Sequence, residues 1–211
     1  MSEGDAGRNI FTPDGRKIHG ARAVRPGDTH EEFLRWAFDN SGENPLAWQA
    51  SARDLLDAAT AVKAKVSPDT DGHGLMHTLA SVQALLLGYT LECLLKGMYI
   101  KRHRVWEEPD KEHAIARNGA YVGVPGAGDH ELLQLADAAG VALNQQERAV
   151  LTRLTNFILY AGRYPIPVRV EQMKPVGTNG RTVARGYISG AELDTAEAIA
   201  NRLMLEVEPW R

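Results

Sequence analysis

Cysteine is almost absent from this 211-residue chain: Cys93 is the single one, set inside an apolar run. A disulfide framework is therefore excluded, and a reducing, cytoplasmic setting is expected. A large charge of either sign is also missing. The formal net charge of −3 gives no global pull toward nucleic acid or a membrane surface, so any such affinity has to come from local patches. Long hydrophobic runs are absent too. The most apolar stretch, Ala84 to Leu95, spans twelve residues and contains Glu92, which suits a buried core helix rather than a bilayer span. No membrane partner is expected, and the start, MSEGDAGRNIFTPDGRK, has no apolar segment of signal-peptide length. There is no Gly-x-Ser-x-Gly elbow, no Rossmann glycine pattern and no Walker loop. His73 and His77 stand four apart near Asp69 and Asp71, but neither an HExxH motif nor a cysteine pair accompanies them, so no metal or cofactor is expected.

What is present is the pattern of an all-helical protein. Hydrophobic residues make up 44% and charged residues 24%, ordinary values for a globular chain. Residues 1–40 read as a loose N-terminal arm followed by a short helix from Thr29 to about Asn40. Asn44 and Pro45 then supply a cap and a first helical position. Trp48, Ala52, Leu55, Ala59, Val62 and Val66 follow at alternating spacings of four and three, one side of a helix bundle. The next helix, about Leu75 to His103, is apolar nearly all round in its middle, which places it at the centre of the bundle or at a subunit interface.

Residues 105–128 form a connection whose length, without structure of its own, marks a functional or mobile loop. A short helix capped by Asp129 and opened by His130 is expected to end at Gly140. Asn144 and Glu147 stand in capping-box spacing before a helix that ends at Gly162. Alternation around Ile166 to Val170 and the Asn179-Gly180 turn predict a two-stranded β-ribbon over about 166–188. Ser189 and Glu192 open the last helix with another capping box.

Chemistry-bearing residues are few. Glu92 and Lys96 lie four apart in apolar surroundings, where a buried carboxylate needs a cationic partner, and Lys96 and Arg163 are the two candidates. His130, at a positive helix end, is a candidate neutral base. From Arg163 to Arg185 five basic residues (Arg163, Arg169, Lys174, Arg181, Arg185) face one acid, Glu171, and a second run, Lys101 to Arg104, closes the central helix. Together they suggest a local anion-binding face for phosphates.

The runs GYTLECLLKGMYI (88–100), GDHELLQLADAAGVAL (128–143) and ERAVLTRLTNFILYAGRYPIP (147–167) resemble the HEPN superfamily. Within it they look most like small bacterial members with an LE-x-x-LK helix, an H-x-L-x-x-L helix and an ARYP-like corner. The resemblance covers roughly residues 75–167. It implies an antiparallel helical bundle over residues 41–211, often a homodimer, in a family of metal-independent RNases of defence and toxin–antitoxin systems. Other members are RNA- or nucleotide-binding proteins without catalysis, some paired with a nucleotidyltransferase or an antitoxin. RNase members carry an Arg separated from a His by four to six residues. Arg163 matches that arginine, while Val168, Arg169 and Val170 stand where the histidine is expected. The expectation is a HEPN-like protein binding RNA or a nucleotide through Arg163, Tyr164, Lys96, Arg169, Arg181 and Arg185. The enzymatic alternative uses Arg163, His130 and Glu92, with Glu92 orienting Arg163, and the third alternative is a non-catalytic assembly partner acting through the apolar central helix.

Overall fold

A computed structural model of the chain describes residues 10–11, 17–18, 29–65, 73–103, 116–117, 120–121, 123, 130–161, 176–178, 181–183 and 188–207. These are predominantly helical: α1 (His30–Gly42), α2 (Pro45–Lys63), α3 (His73–His103), α4 (Leu132–Ala139), α5 (Gln145–Asn156) and α6 (Gly190–Val207). The helices begin where local chemistry tells them to. Asn44 accepts from the Leu46 N–H at 2.9 Å, with Pro45 in the first turn of α2. Capping boxes open three others: Thr29 with Glu32, Asn144 with Glu147, and Ser189 with Glu192. Each satisfies amide donors that a helix start leaves unpaired.

Helix α3 occupies the centre. Leu87, Leu91, Leu94, Leu95 and Ile100 are buried within the chain's own core, against α2, α4, α5 and α6. By length and composition the segment Leu79–His103 also qualifies as a bilayer-crossing helix, longer than the twelve-residue stretch that stands out in the sequence. Half of an apolar 18-residue stretch within it is buried inside the fold. Gly97 of α3 approaches Pro45 and Trp48 at the start of α2, so α2 and α3 run antiparallel. The same sense holds between α2 and α6. Gln49 donates to the Met204 carbonyl at 3.0 Å, while at the other end Lys63 meets Asp194 and Glu197 at 2.8 Å each. Those two carboxylates push the Lys63 ammonium well above its ordinary value.

Helices α5 and α6 brace each other reciprocally. Arg202 of α6 reaches Glu147, the capping-box acid of α5, at 3.0 Å, and Arg153 of α5 reaches Glu192, the capping-box acid of α6, at 2.7 Å. Each glutamate thus both caps its own helix and holds the other. The pair Asp137–Arg148 ties α4 to α5 at 2.9 Å, and the guanidinium holds the Asp137 carboxyl below its ordinary value of 3.8. A depressed carboxyl contributes stability at neutral pH that is lost as the pH falls through its lowered value.

Three small antiparallel pairs complete the described residues: Ile10–Phe11 with Lys17–Ile18 (β1, β2), Ala116–Arg117 with Ala120–Tyr121 (β3, β4), and Val176–Thr178 with Arg181–Val183 (β5, β6). The β3–β4 pair lies within the 105–128 connection. Its strands flank Asn118-Gly119, a strong hairpin signal, and pack on α1. The expected ribbon over 166–188 lies mostly outside the described residues.

The end of α5 departs from expectation. Instead of continuing as an α-helix toward Gly162, the chain widens into a π-helical turn, Phe157–Ala161. Such turns are rare, and frequent at functional sites. Phe157 and Ile158 are fully buried there. Gly88 of α3 makes room: a Cβ at that position would stand 2.7 Å from Ile158 Cγ1. Gly88→Ala is therefore expected to lower stability by about 1–3 kcal/mol through overpacking, outweighing the roughly 0.5–1 kcal/mol that alanine gains over glycine in a helix. A thermal or urea melt checks this, and an unchanged or raised midpoint would show that Ile158 yields freely.

Candidate functional site

Glu92 sits in the most apolar part of α3 and is only 6% exposed. A carboxylate so placed is held by charge and hydrogen bonding or it is not charged at all. Both of its oxygens are engaged. Lys96, one turn on, puts Nζ 2.6 Å from Oε1, and His130 puts Nδ1 2.8 Å from Oε2. The first contact follows from helix geometry, since residues four apart share a face. The second joins residues 38 apart in sequence.

His130 is brought there by an unusual backbone. It is the one non-glycine residue with positive φ, 59°, among the described residues. For a residue with a side chain this left-handed conformation costs on the order of 1 kcal/mol. The expectation that Asp129 caps the following helix and His130 opens it is corrected. The N-cap of α4 is Glu131, which makes no side-chain cap, and the helix starts at Leu132. The first amide of α4, Leu132 N–H, is instead satisfied by Thr155 Oγ1 of α5 at 3.2 Å. His130 therefore stands just outside the helix, in a turn fixed between α3 and α5.

Two aromatic rings frame the cluster. Trp48 of α2 lies under the Lys96 ammonium, 5.0 Å from Nζ to the ring centroid, a contact of about 0.5–1 kcal/mol or more when shielded from water. Its Nε1–H donates to the Gly42 carbonyl at 2.8 Å, which fixes the ring between the end of α1 and α3. Tyr89, three residues before Glu92 on the same face, meets His130 edge to face at 6.1 Å. Neither ring was expected at the site. Tyr89 is visible as an i, i+3 neighbour of Glu92, whereas Trp48 depends on the register between α2 and α3.

The chemistry follows from the tautomer. An ionised carboxylate only accepts, so with the ring neutral Nδ1 carries the proton that Glu92 binds, and Nε2 is the unprotonated nitrogen of a side chain that is 38% exposed. An imidazole oriented in this way can take a proton at Nε2 and hand it on. Glu92 thus orients His130; the expected contact of Glu92 with Arg163 lies outside the described residues.

Of the other expected site residues, Arg163, Tyr164, Arg169 and Arg185 lie outside the described residues, and Arg181 opens β6, paired with Thr178. Of the second basic run, Lys101 and Arg102 meet helix ends, and Arg104 lies outside the described residues. Lys101 donates to the Glu206 carbonyl in the last turn of α6, and the Arg102 guanidinium occupies the space where a side chain at Gly140, the left-handed C-cap of α4, would stand. His103 packs on Tyr99 at 4.5 Å. Cations at helix C-termini complement the backbone dipole.

No protein-family model matches the chain, and neither the curated proteins nor the solved structures give a match.

Cys93, next to Glu92, reports on this site. Burial pushes its thiol up to about 11, the Glu92 charge adds to the rise, and Lys96 opposes it. Alkylation at neutral pH should be slow in the native protein, because the thiolate is the reactive form. Removing the neighbouring negative charge lowers the thiol value, so Glu92→Gln is expected to speed alkylation of Cys93 at fixed pH. An equal or slower rate in a folded Glu92→Gln protein would show that Glu92 does not act on the Cys93 thiol.

Proposed function

We propose that the chain is a HEPN-like helical protein, acting as a cytoplasmic homodimer, that binds RNA or a nucleotide at the His130–Glu92–Lys96 cluster. The arginines of the 163–185 segment, Arg163, Arg169, Arg181 and Arg185, together with the Tyr164 hydroxyl, supply further phosphate contacts in this reading. The observation that supports it is the 2.8 Å contact between Glu92 Oε2 and His130 Nδ1. It joins the LE-x-x-LK helix to the H-x-L-x-x-L helix, the two motifs on which the resemblance rests. A defence or toxin–antitoxin setting, with a nucleotidyltransferase or antitoxin as partner, follows from the same resemblance.

The partly exposed His130 ring, held at Nδ1 by Glu92, favours a second reading, a metal-independent ribonuclease whose histidine comes from the turn before α4 rather than from a position after Arg163. In that reading Nε2 of His130 takes the proton of a ribose 2′-OH, and O2′ attacks the adjacent phosphorus. The P–O5′ bond breaks, and the proton passes from His130 to O5′. The products are a 2′,3′-cyclic phosphate and a 5′-OH. Lys96 offsets the Glu92 charge so that a phosphate is not repelled. Glu92 steadies the imidazolium formed midway, as the buried acid does in a serine-hydrolase triad.

The test is labelled total RNA, tRNA included, incubated with purified protein in EDTA beside His130→Ala, Glu92→Gln and Arg163→Ala. Wild type is expected to retard RNA with an affinity that falls steeply as salt rises. If it also cuts, His130→Ala should lower the rate by about 10²–10⁴-fold, the range for loss of a general base. A folded wild-type protein that neither retards nor cuts RNA or nucleotides at low salt overturns the proposal.

A further inference from the structure

We infer that Thr155 is a positioning residue for His130: it holds the turn that aims the imidazole at Glu92, from a helix that itself contributes no group to the cluster. Three observations carry this. Among the described residues no side chain of α4's own start caps its first turn: Glu131 occupies the N-cap, and its carboxylate accepts from the Gln134 side chain at 2.9 Å rather than from a backbone amide. The Leu132 amide is taken by Thr155 Oγ1 at 3.2 Å, across the interface between α4 and α5. Thr155 donates its own hydroxyl proton to the Leu151 carbonyl at 3.1 Å, so its lone pairs are left to face Leu132.

The stretch 130–132 is therefore pinned at both ends. Glu92 of α3 holds the side chain of His130, and Thr155 of α5 holds the backbone two residues later. Between them lies the left-handed residue, whose conformation persists only where its surroundings over-determine it. Thr155 is also one residue from Asn156, the last of α5 before the π-helical turn, so the chain geometry around Phe157–Ala161 and the placement of the hydroxyl are set together. Releasing the Leu132 amide lets the turn relax toward ordinary backbone angles and swings the ring off Glu92.

The importance of this orientation for activity rests on the proposed role of His130, but the orientation itself is measurable without it. The experiment is ¹⁵N NMR of the His130 ring, at a pH where it is neutral, in wild type, Thr155→Val, Thr155→Ser and Thr152→Val. Thr152 is the matched control, with the same hydroxyl-to-carbonyl bond on the same helix (Arg148 O at 2.9 Å) on its exposed side. Wild type, Thr155→Ser and Thr152→Val should show one tautomer with a slowly exchanging Nδ1–H. Thr155→Val should lose that resonance and show mixed tautomers. Should Thr155→Val fail to fold, exchange of the Leu132 amide in wild type reads the same bond. Protection beyond that of other first-turn amides is expected, and none overturns the inference.

An unchanged ring pattern in folded Thr155→Val also overturns it. In the RNA assay, Thr155→Val should lower turnover by about tenfold to a hundredfold with KM little changed, the loss expected of a misplaced group. A wild type that neither retards nor cuts RNA or nucleotides, with the ring pattern still dependent on Thr155, sinks the function and keeps the positioning role. An active wild type, indifferent to Thr155 in ring and rate, does the reverse.

Discussion

A charged carboxylate in the middle of the most apolar helix is the constraint from which the arrangement around it follows. Glu92 cannot lie among Leu91, Leu94 and Leu95 without partners, and the chain supplies one locally and one from afar. Lys96 is the local one, and its ammonium is in turn steadied by Trp48, which ties α2 and the end of α1 to the same point. His130 is the distant one, and reaching Glu92 requires a backbone conformation that only the packing of α3, α4 and α5 holds in place. Buried ion pairs contribute little net stability when compared with apolar replacements, but losing one partner is costly. Such a cluster is therefore better explained by what it positions than by what it stabilises.

Around that point the bundle is organised by helix ends. Acids sit at N-termini and do double duty: Glu147 and Glu192 close capping boxes while receiving an arginine from the opposite helix. Cations collect at C-termini, where Lys101 and Arg102 close α6 and α4. These contacts fix how α5 and α6 sit against α3, and so where the π-helical turn meets Gly88, one turn from Glu92. The site and the fold share this frame.

Most helix boundaries are legible in the sequence because their signals are local. Asn44-Pro45, Asn144 with Glu147, Ser189 with Glu192, and Gly140 act through neighbours within a few residues. The Glu92–Lys96 pair is legible for the same reason. What is not legible depends on how one helix sits against another. Asp129-His130 resembles a cap and first turn, yet the start of α4 is supplied by Thr155 from α5, and nothing in residues 128–132 signals that. The Trp48–Lys96 contact needs the register of α2 on α3. The π turn has no short signature, because Phe157 to Ala161 reads as a continuation of a good helix, and only the close approach to Gly88 gives it a reason. Arg163, the residue that matches the arginine of the RNase members, lies outside the described residues, so the described geometry supports the site through Glu92, Lys96 and His130 alone.

The most direct test of the account is a double-mutant cycle between Glu92 and His130, using Glu92→Gln, His130→Asn and the pair, read by urea unfolding. If the two side chains form one unit, the effects are coupled, with an interaction energy of about 1 kcal/mol or more, as for residues in one hydrogen-bond network. Effects that add to within about 0.3 kcal/mol, the agreement typical of independent sites, would contradict the account: Glu92 and His130 would then be neighbours without a shared task.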